Sequence, residues 1–207
     1  MTRREFFSIA VAAGAAQTVT RVPLIVPVQL VLDGRVQWSP EPVQHFWSRI
    51  WPQAVRDFER CGIRLQSSLR AGDVCRPPGG EPVVTGLERG VVNLVITDRI
   101  PMEWDGGRAL SGFATSYRGY HMCMVALEHA HCHQIPFLSV NTCVHELLHA
   151  VLHDIFEGRP MGLLGEGREF RIDWYATRLW LFHDGGTIRK SAQAYVERLR
   201  SGSPPRT

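Results

Sequence analysis

The strongest chemical signal in this 207-residue chain is a run of five residues, His145-Glu146-Leu147-Leu148-His149. On an α-helix, residues four apart project from one face, so two imidazoles at this spacing converge on a single metal ion. Glu146 stands beside the same point, where a carboxylate can take a proton from water that a metal has acidified. A catalytic zinc ion takes three protein ligands and keeps a fourth position open. The two histidines therefore leave one ligand to find. The five-residue pattern recurs by chance, so its surroundings decide. Leu147, Leu148, Val151 and Leu152 give the segment an apolar helical face, with both histidines on the other side. Asn141 is placed to cap the helix, and the β-prone stretch Pro136-Phe137-Leu138-Ser139-Val140 precedes it. Two incidental histidines on a surface helix are the bland alternative, and this context weighs against it.

Acids downstream offer the third ligand. Glu169 and Asp173 lie one turn apart in Glu169-Phe170-Arg171-Ile172-Asp173-Trp174-Tyr175-Ala176, on one face of a helix predicted from Glu169 to Phe182. Glu166 and His153 are the other candidates. His153, eight residues after His145, is about 80° further round the helix and approaches the metal only if the helix distorts. His153-Asp154 reads better as the helix end, where a cationic imidazole suits the dipole.

Over residues 144–179 this pattern resembles the gluzincins, the thermolysin-like branch of the zincin metallopeptidases. In that family a downstream helical Glu binds zinc, and an acid one turn later orients a zinc-binding histidine. The resemblance implies one Zn2+ per chain held by His145, His149 and Glu169, with Asp173 holding an imidazole N–H. It also implies Glu146 as general base in peptide-bond hydrolysis. The E-x-x-x-D-x-Y/F-A run is similar to the short gluzincin peptidases that act on phage and stress repressors. The metzincin branch fits worse, because its required Gly and third His would fall at Leu152 and Ile155.

Weaker constellations surround this one. His129, His131, Cys132 and His133 are good zinc ligands by type, but such crowding usually marks a solvated loop. Tyr175, His183, Tyr117 and Tyr120 are candidates for stabilising an oxyanion on a hydrolysed carbonyl, and the sequence does not choose among them. Trp174, Trp180 and Leu181 have the helical spacing of core residues.

The elements that must position these residues read as an α+β arrangement with a mixed twisted sheet, an active-site helix and C-terminal helices; by resemblance this is zincin-like. Val26 to Leu32 alternates like a strand and ends at the turn signal Asp33-Gly34. From Pro40, Val43, Phe46, Trp47, Ile50, Trp51, Ala54, Val55 and Phe58 share a helical face. Ser39 suits the N-cap, Gly62 the stop, and Pro52 is set to kink or divide the helix. Strands are predicted at Ile63 to Ser68, Gly90 to Thr97, Gly112 to Tyr117 and His121 to Leu127, and a last helix from Thr187 to Leu199. The edge that could take an extended peptide substrate falls within Gly112 to Leu127.

Composition bounds the rest. The chain is 44% hydrophobic and 21% charged with a net charge of +3, the profile of one globular domain. No Lys/Arg stripe points to nucleic acid, and no run of about 20 apolar residues points to a stable membrane span. Met1-Thr2-Arg3-Arg4-Glu5-Phe6-Phe7 followed by Ile9 to Ala16 has the layout of a twin-arginine signal peptide over residues 1–15. That layout implies the twin-arginine export machinery as a partner and a periplasmic or secreted protein. A single domain then spans 22–200, ahead of a disordered tail at 201–207. In an oxidising compartment Cys61–Cys75 and Cys123–Cys132 could each close a short loop. The expected activity is an exported zinc metallopeptidase acting on a peptide or protein substrate. The alternatives are a metal-binding protein of the same fold without turnover, and a cytosolic repressor-cleaving regulator.

Overall fold

The computed structural model describes residues 22–75, 77, 83–100, 112–127, 134–135, 138–139, 141–151 and 185–202. In chain order its elements are β1 (Leu24–Asp33), α1 (Pro40–His45), a π-turn (Phe46–Ile50), α2 (Trp51–Glu59), β2 (Ile63–Gly72), β3 (Val74–Cys75), β4 (Val83–Val84), β5 (Val92–Thr97), β6 (Gly112–Tyr117), β7 (Tyr120–Ala126), β8 (Gln134–Ile135), β9 (Leu138–Ser139), α3 (Thr142–Val151) and α4 (Gly185–Ser201). The signal-like leader and the helix predicted at Glu169 to Phe182 lie outside the described residues.

Five strands form a mixed sheet in the order β2-β1-β5-β7-β6. Strand β1 runs parallel to β2 along its whole length, from Leu24↔Ile63 to Asp33↔Gly72, and parallel to β5 from Val28↔Val92. Strand β7 continues the parallel set beside β5, and β6 turns back antiparallel at the edge. The β6–β7 turn, Arg118-Gly119, has φ of 49° and 79°. Positive φ at both central residues gives the tight hairpin that matches strand twist.

The alternation of β1 explains the two layers. Val26, Val28 and Leu30 face a core shared with all the helices, which includes Ile50, Phe58, Val125, Leu147 and Val196. Val31 faces the other way, into a smaller cluster with Val95, Met122, Met124, Val84 and Ile100. The β3–β4 ribbon, not foreseen from the sequence, covers that second face. Asp33 secures it: one carboxylate oxygen accepts from the Val74 and Arg35 amides at 3.2 and 3.1 Å, the other from the Thr97 hydroxyl at 2.9 Å. Gly72 leaves room for this layer, since a Cβ there would lie 2.6 Å from Val31 Cγ1.

The single helix predicted from Pro40 is two helices joined by the π-turn. Ser39 has the extended backbone of an N-cap (φ −68°, ψ 136°), but its side chain makes no capping hydrogen bond. Pro52 directly follows the π-turn, where the Trp51 amide has already shifted to the Phe46 carbonyl five residues back, at the division the sequence suggested. Gly62, at φ 71°, ends the helix as expected and turns the chain into β2.

Neither short-loop disulfide forms. Cys61 donates its thiol to the Asp57 carbonyl at 3.5 Å and Cys123 to the Glu146 carbonyl at 3.3 Å, and both are free, as is Cys75. Burial first, and then the Asp57 carboxylate, pushes the Cys61 thiol up to about 12. Among the described residues no helix is long and apolar enough to cross a membrane.

Candidate metal centre

The motif helix is fixed at its start by Asn141. Its side-chain oxygen accepts from the Val144 amide at 3.2 Å and its backbone carbonyl from the His145 amide at 3.0 Å, the capping expected from the sequence. Its side-chain nitrogen donates to the Ile50 carbonyl at 2.9 Å, tying α3 to the π-turn.

The apolar face of α3 packs as expected, but the histidine face does not stand in solvent. Thr142 to Leu148 are all buried; His145 is 1% exposed and Glu146 2%. The cause is packing on several sides, with β6 and β7 beneath the helix and α2 and α4 beside it. His149 and Ala150 are half-buried, so the second histidine is the less covered of the two.

Three side chains come together. The Nε2 atoms of His145 and His149 are 2.9 Å apart, and their rings meet edge to face at a centroid distance of 4.7 Å. A Glu146 carboxylate oxygen lies 3.9 Å from His145 Nε2, and one ligand atom from each of the three lies within 4.8 Å of the others. Zinc–nitrogen bonds of about 2.0–2.1 Å in tetrahedral geometry separate two ligand nitrogens by about 3.3 Å. The imidazoles need to open by only a few tenths of an ångström to share an ion. Two imidazole nitrogens suit zinc by donor type, and the Glu146 carboxylate stands beside them. Among the described residues, this group could hold a metal ion.

Two strands hold Glu146. Cys123 on β7 donates to its backbone carbonyl. Its side chain lies against Gly112 on β6, where an added Cβ would stand 2.6 Å from Cδ and 2.7 Å from Cγ. Cys123 and Cys143 are fully buried here. Burial, with the Glu146 charge as the next cause, holds both thiols well above their ordinary range and therefore neutral.

His145, Glu146 and His149 are thus brought together, while Glu169, Asp173, Glu166 and His153 lie outside the described residues. So do Tyr175, His183, Trp174, Trp180, Leu181 and the cluster His129, His131, Cys132 and His133. Tyr117 and Tyr120 are placed elsewhere. Tyr117 packs on the face away from α3, and its hydroxyl accepts from the Val84 amide at 3.3 Å. Tyr120 pairs opposite it beneath the Arg89 guanidinium. Sequence reasoning missed Gly112, Cys123 and the Ile50 carbonyl; Gly112 was visible only as the start of a strand.

Comparison with family models, with curated proteins and with solved structures found no match to this chain.

Proposed function

We propose that this chain is an exported zinc metallopeptidase of zincin-like fold. The observation that carries the proposal is the convergence of His145 and His149 Nε2 atoms, with the Glu146 carboxylate beside them, next to an edge strand. His145 and His149 would hold the ion. Glu169 would complete the ligand set and Asp173 would orient an imidazole, as the gluzincin resemblance implies. Zinc bound there supplies Lewis acidity, which polarises a peptide carbonyl and lowers the pKa of water.

The chain's own residues do the rest. Glu146 takes the proton from the attacking water and passes it to the leaving amine. Its burial strengthens every electrostatic interaction at that point. Strand β6 pairs with β7 alone among the described strands, and its outer edge is where an extended peptide would add as a further strand. The site's half-buried side, at His149, is the approach for solvent and substrate.

A second reading, a structural metal site without turnover, draws on the near-complete burial of His145 and Glu146. One comparison separates the two: zinc content and cleavage of a peptide library by the wild type and by Glu146→Gln. Peptide hydrolysis with retained zinc but a loss of about 10²–10⁴-fold in the variant supports general-base catalysis. Unchanged cleavage overturns it, and zinc without any cleavage selects the structural site.

A further inference from the structure

We propose that Gly112 is a positioning residue for Glu146, a role that rests on the peptidase reading for its catalytic meaning but not for its geometry. Gly112 opens β6 and pairs with Val125 of β7. It is not among the glycines with positive φ, so backbone freedom does not account for it. What singles it out is the space above its Cα. A Cβ there would lie 2.6 and 2.7 Å from Glu146 Cδ and Cγ and would meet Oε1 as well, closer than non-bonded carbons approach. No side chain other than hydrogen fits while Glu146 keeps its place.

The main chain that carries the carboxylate is held in place, so any adjustment falls on the Glu146 side chain, which is 2% exposed. The Glu146 backbone carbonyl is held by the Cys123 thiol, and Ala114, two residues along β6, is the register partner of Cys123. Adjacent strands therefore grip Glu146 from two directions: β7 fixes the main chain and β6 limits the side chain. The helix around it is buried and rests on those same strands. A methyl group at position 112 must push the carboxylate off the Gly112 Cα or lift the start of β6. Either movement separates the proton acceptor from the edge along which an extended peptide would lie. Gly112 thus sets the distance between Glu146 and that edge.

Shortening the acid by one methylene gives the added methyl its space back, which makes the contact testable by compensation. The experiment compares the full chain with Gly112→Ala, Glu146→Asp and the double variant, measuring thermal midpoint, bound zinc and steady-state cleavage of a library peptide. Gly112→Ala is expected to lower the midpoint by about 3–10 °C. It should keep its zinc and lose about 100-fold in kcat, the scale of a 1 Å misplacement, with KM changed less than about twofold. The double variant should recover most of the midpoint and be no slower than Glu146→Asp alone. Additive midpoints for the two substitutions would overturn the contact. Coupled midpoints with additive effects on kcat would overturn the positioning role. Failure of the peptidase reading is separate: it appears as cleavage unaffected by Glu146→Gln or as no cleavage by the wild type, and the midpoint coupling between Gly112 and Glu146 tests the contact in either case.

Discussion

Asn141 and Ile50, 91 positions apart in sequence, are joined by a 2.9 Å hydrogen bond from the asparagine amide to the isoleucine carbonyl. The same side chain caps the helix that carries His145, Glu146 and His149. One buried residue therefore sets both where the motif helix begins and what it leans on. Asn141→Ala removes a cap and leaves a buried carbonyl without this donor. The expected loss is about 2–3 kcal/mol, read from chemical denaturation. Asn141→Asp keeps the cap acceptor but sets an oxygen against the Ile50 carbonyl, so it should recover only part of that loss. Equal stability of all three proteins would show that the link contributes nothing.

Metal binding should stabilise the fold. At a free zinc concentration 100-fold above Kd the gain is about 2.7 kcal/mol. Chelation should lower the thermal midpoint of the wild type, while His145→Ala and His149→Ala should bind less than one equivalent and hardly respond. A chelator-insensitive wild type would count against the centre. Glu169→Ala and His153→Ala, assayed the same way, test the third ligand: only the former is expected to weaken zinc binding.

Thiol reactivity should follow burial. Alkylation near neutral pH, mapped by mass spectrometry, is expected at half-buried Cys75 well before Cys61, Cys123 or Cys143. For Cys61 the raised pKa also gives a sign. The folded protein keeps the proton that the unfolded thiol loses from about 9 upward, so its contribution to stability is complete below pH 9. That contribution falls between 9 and about 12. Cys61→Ala should flatten the alkaline part of the stability curve, and an unchanged curve would refute the assignment.

Tyr195 presents the opposite case. It is 1% exposed, stacks edge to face with His121 at 5.0 Å, and its hydroxyl finds no hydrogen-bond partner among the described residues. Tyr195→Phe should therefore leave stability unchanged or raise it by about 1 kcal/mol. A loss would reveal a partner supplied from elsewhere in the chain.

Export makes a separate prediction. Fractionation of expressing cells should find a product beginning near Ala16 in the cell envelope. A full-length cytosolic product would favour the repressor-cleaving alternative.

Periodicity and punctuation made much of the fold readable. The alternation of Val26, Val28 and Leu30, the Asn141 cap and the Gly62 stop are all local signals, and each appears where the sequence puts it. The β3–β4 ribbon was hidden because two-residue strands have no period to detect; a long-range bond from Val74 to Asp33 marks it instead. The motif showed that His145 and His149 could meet, since four residues on a helix fix that geometry. It did not show that the helix would be buried on several sides, because burial depends on which strands arrive beneath it. Nor could spacing reveal Gly112, whose meaning comes from a contact between two elements far apart in sequence.

The interior place of β1, between β2 and β5, has a consequence for synthesis. A chain emerging from its N-terminus has β2 at hand as a partner for β1 once Gly72 has been made, with α1 and α2 between them. The other side of β1 stays open until β5 follows, some twenty residues later in the sequence. Helix α3 comes after every strand of the main sheet, and β6 and β7 are its floor. The two histidines can therefore face each other in their final surroundings only when nearly all of the sheet is in place. The metal centre is built on a finished sheet, and α4, which packs beside α3, is still to follow.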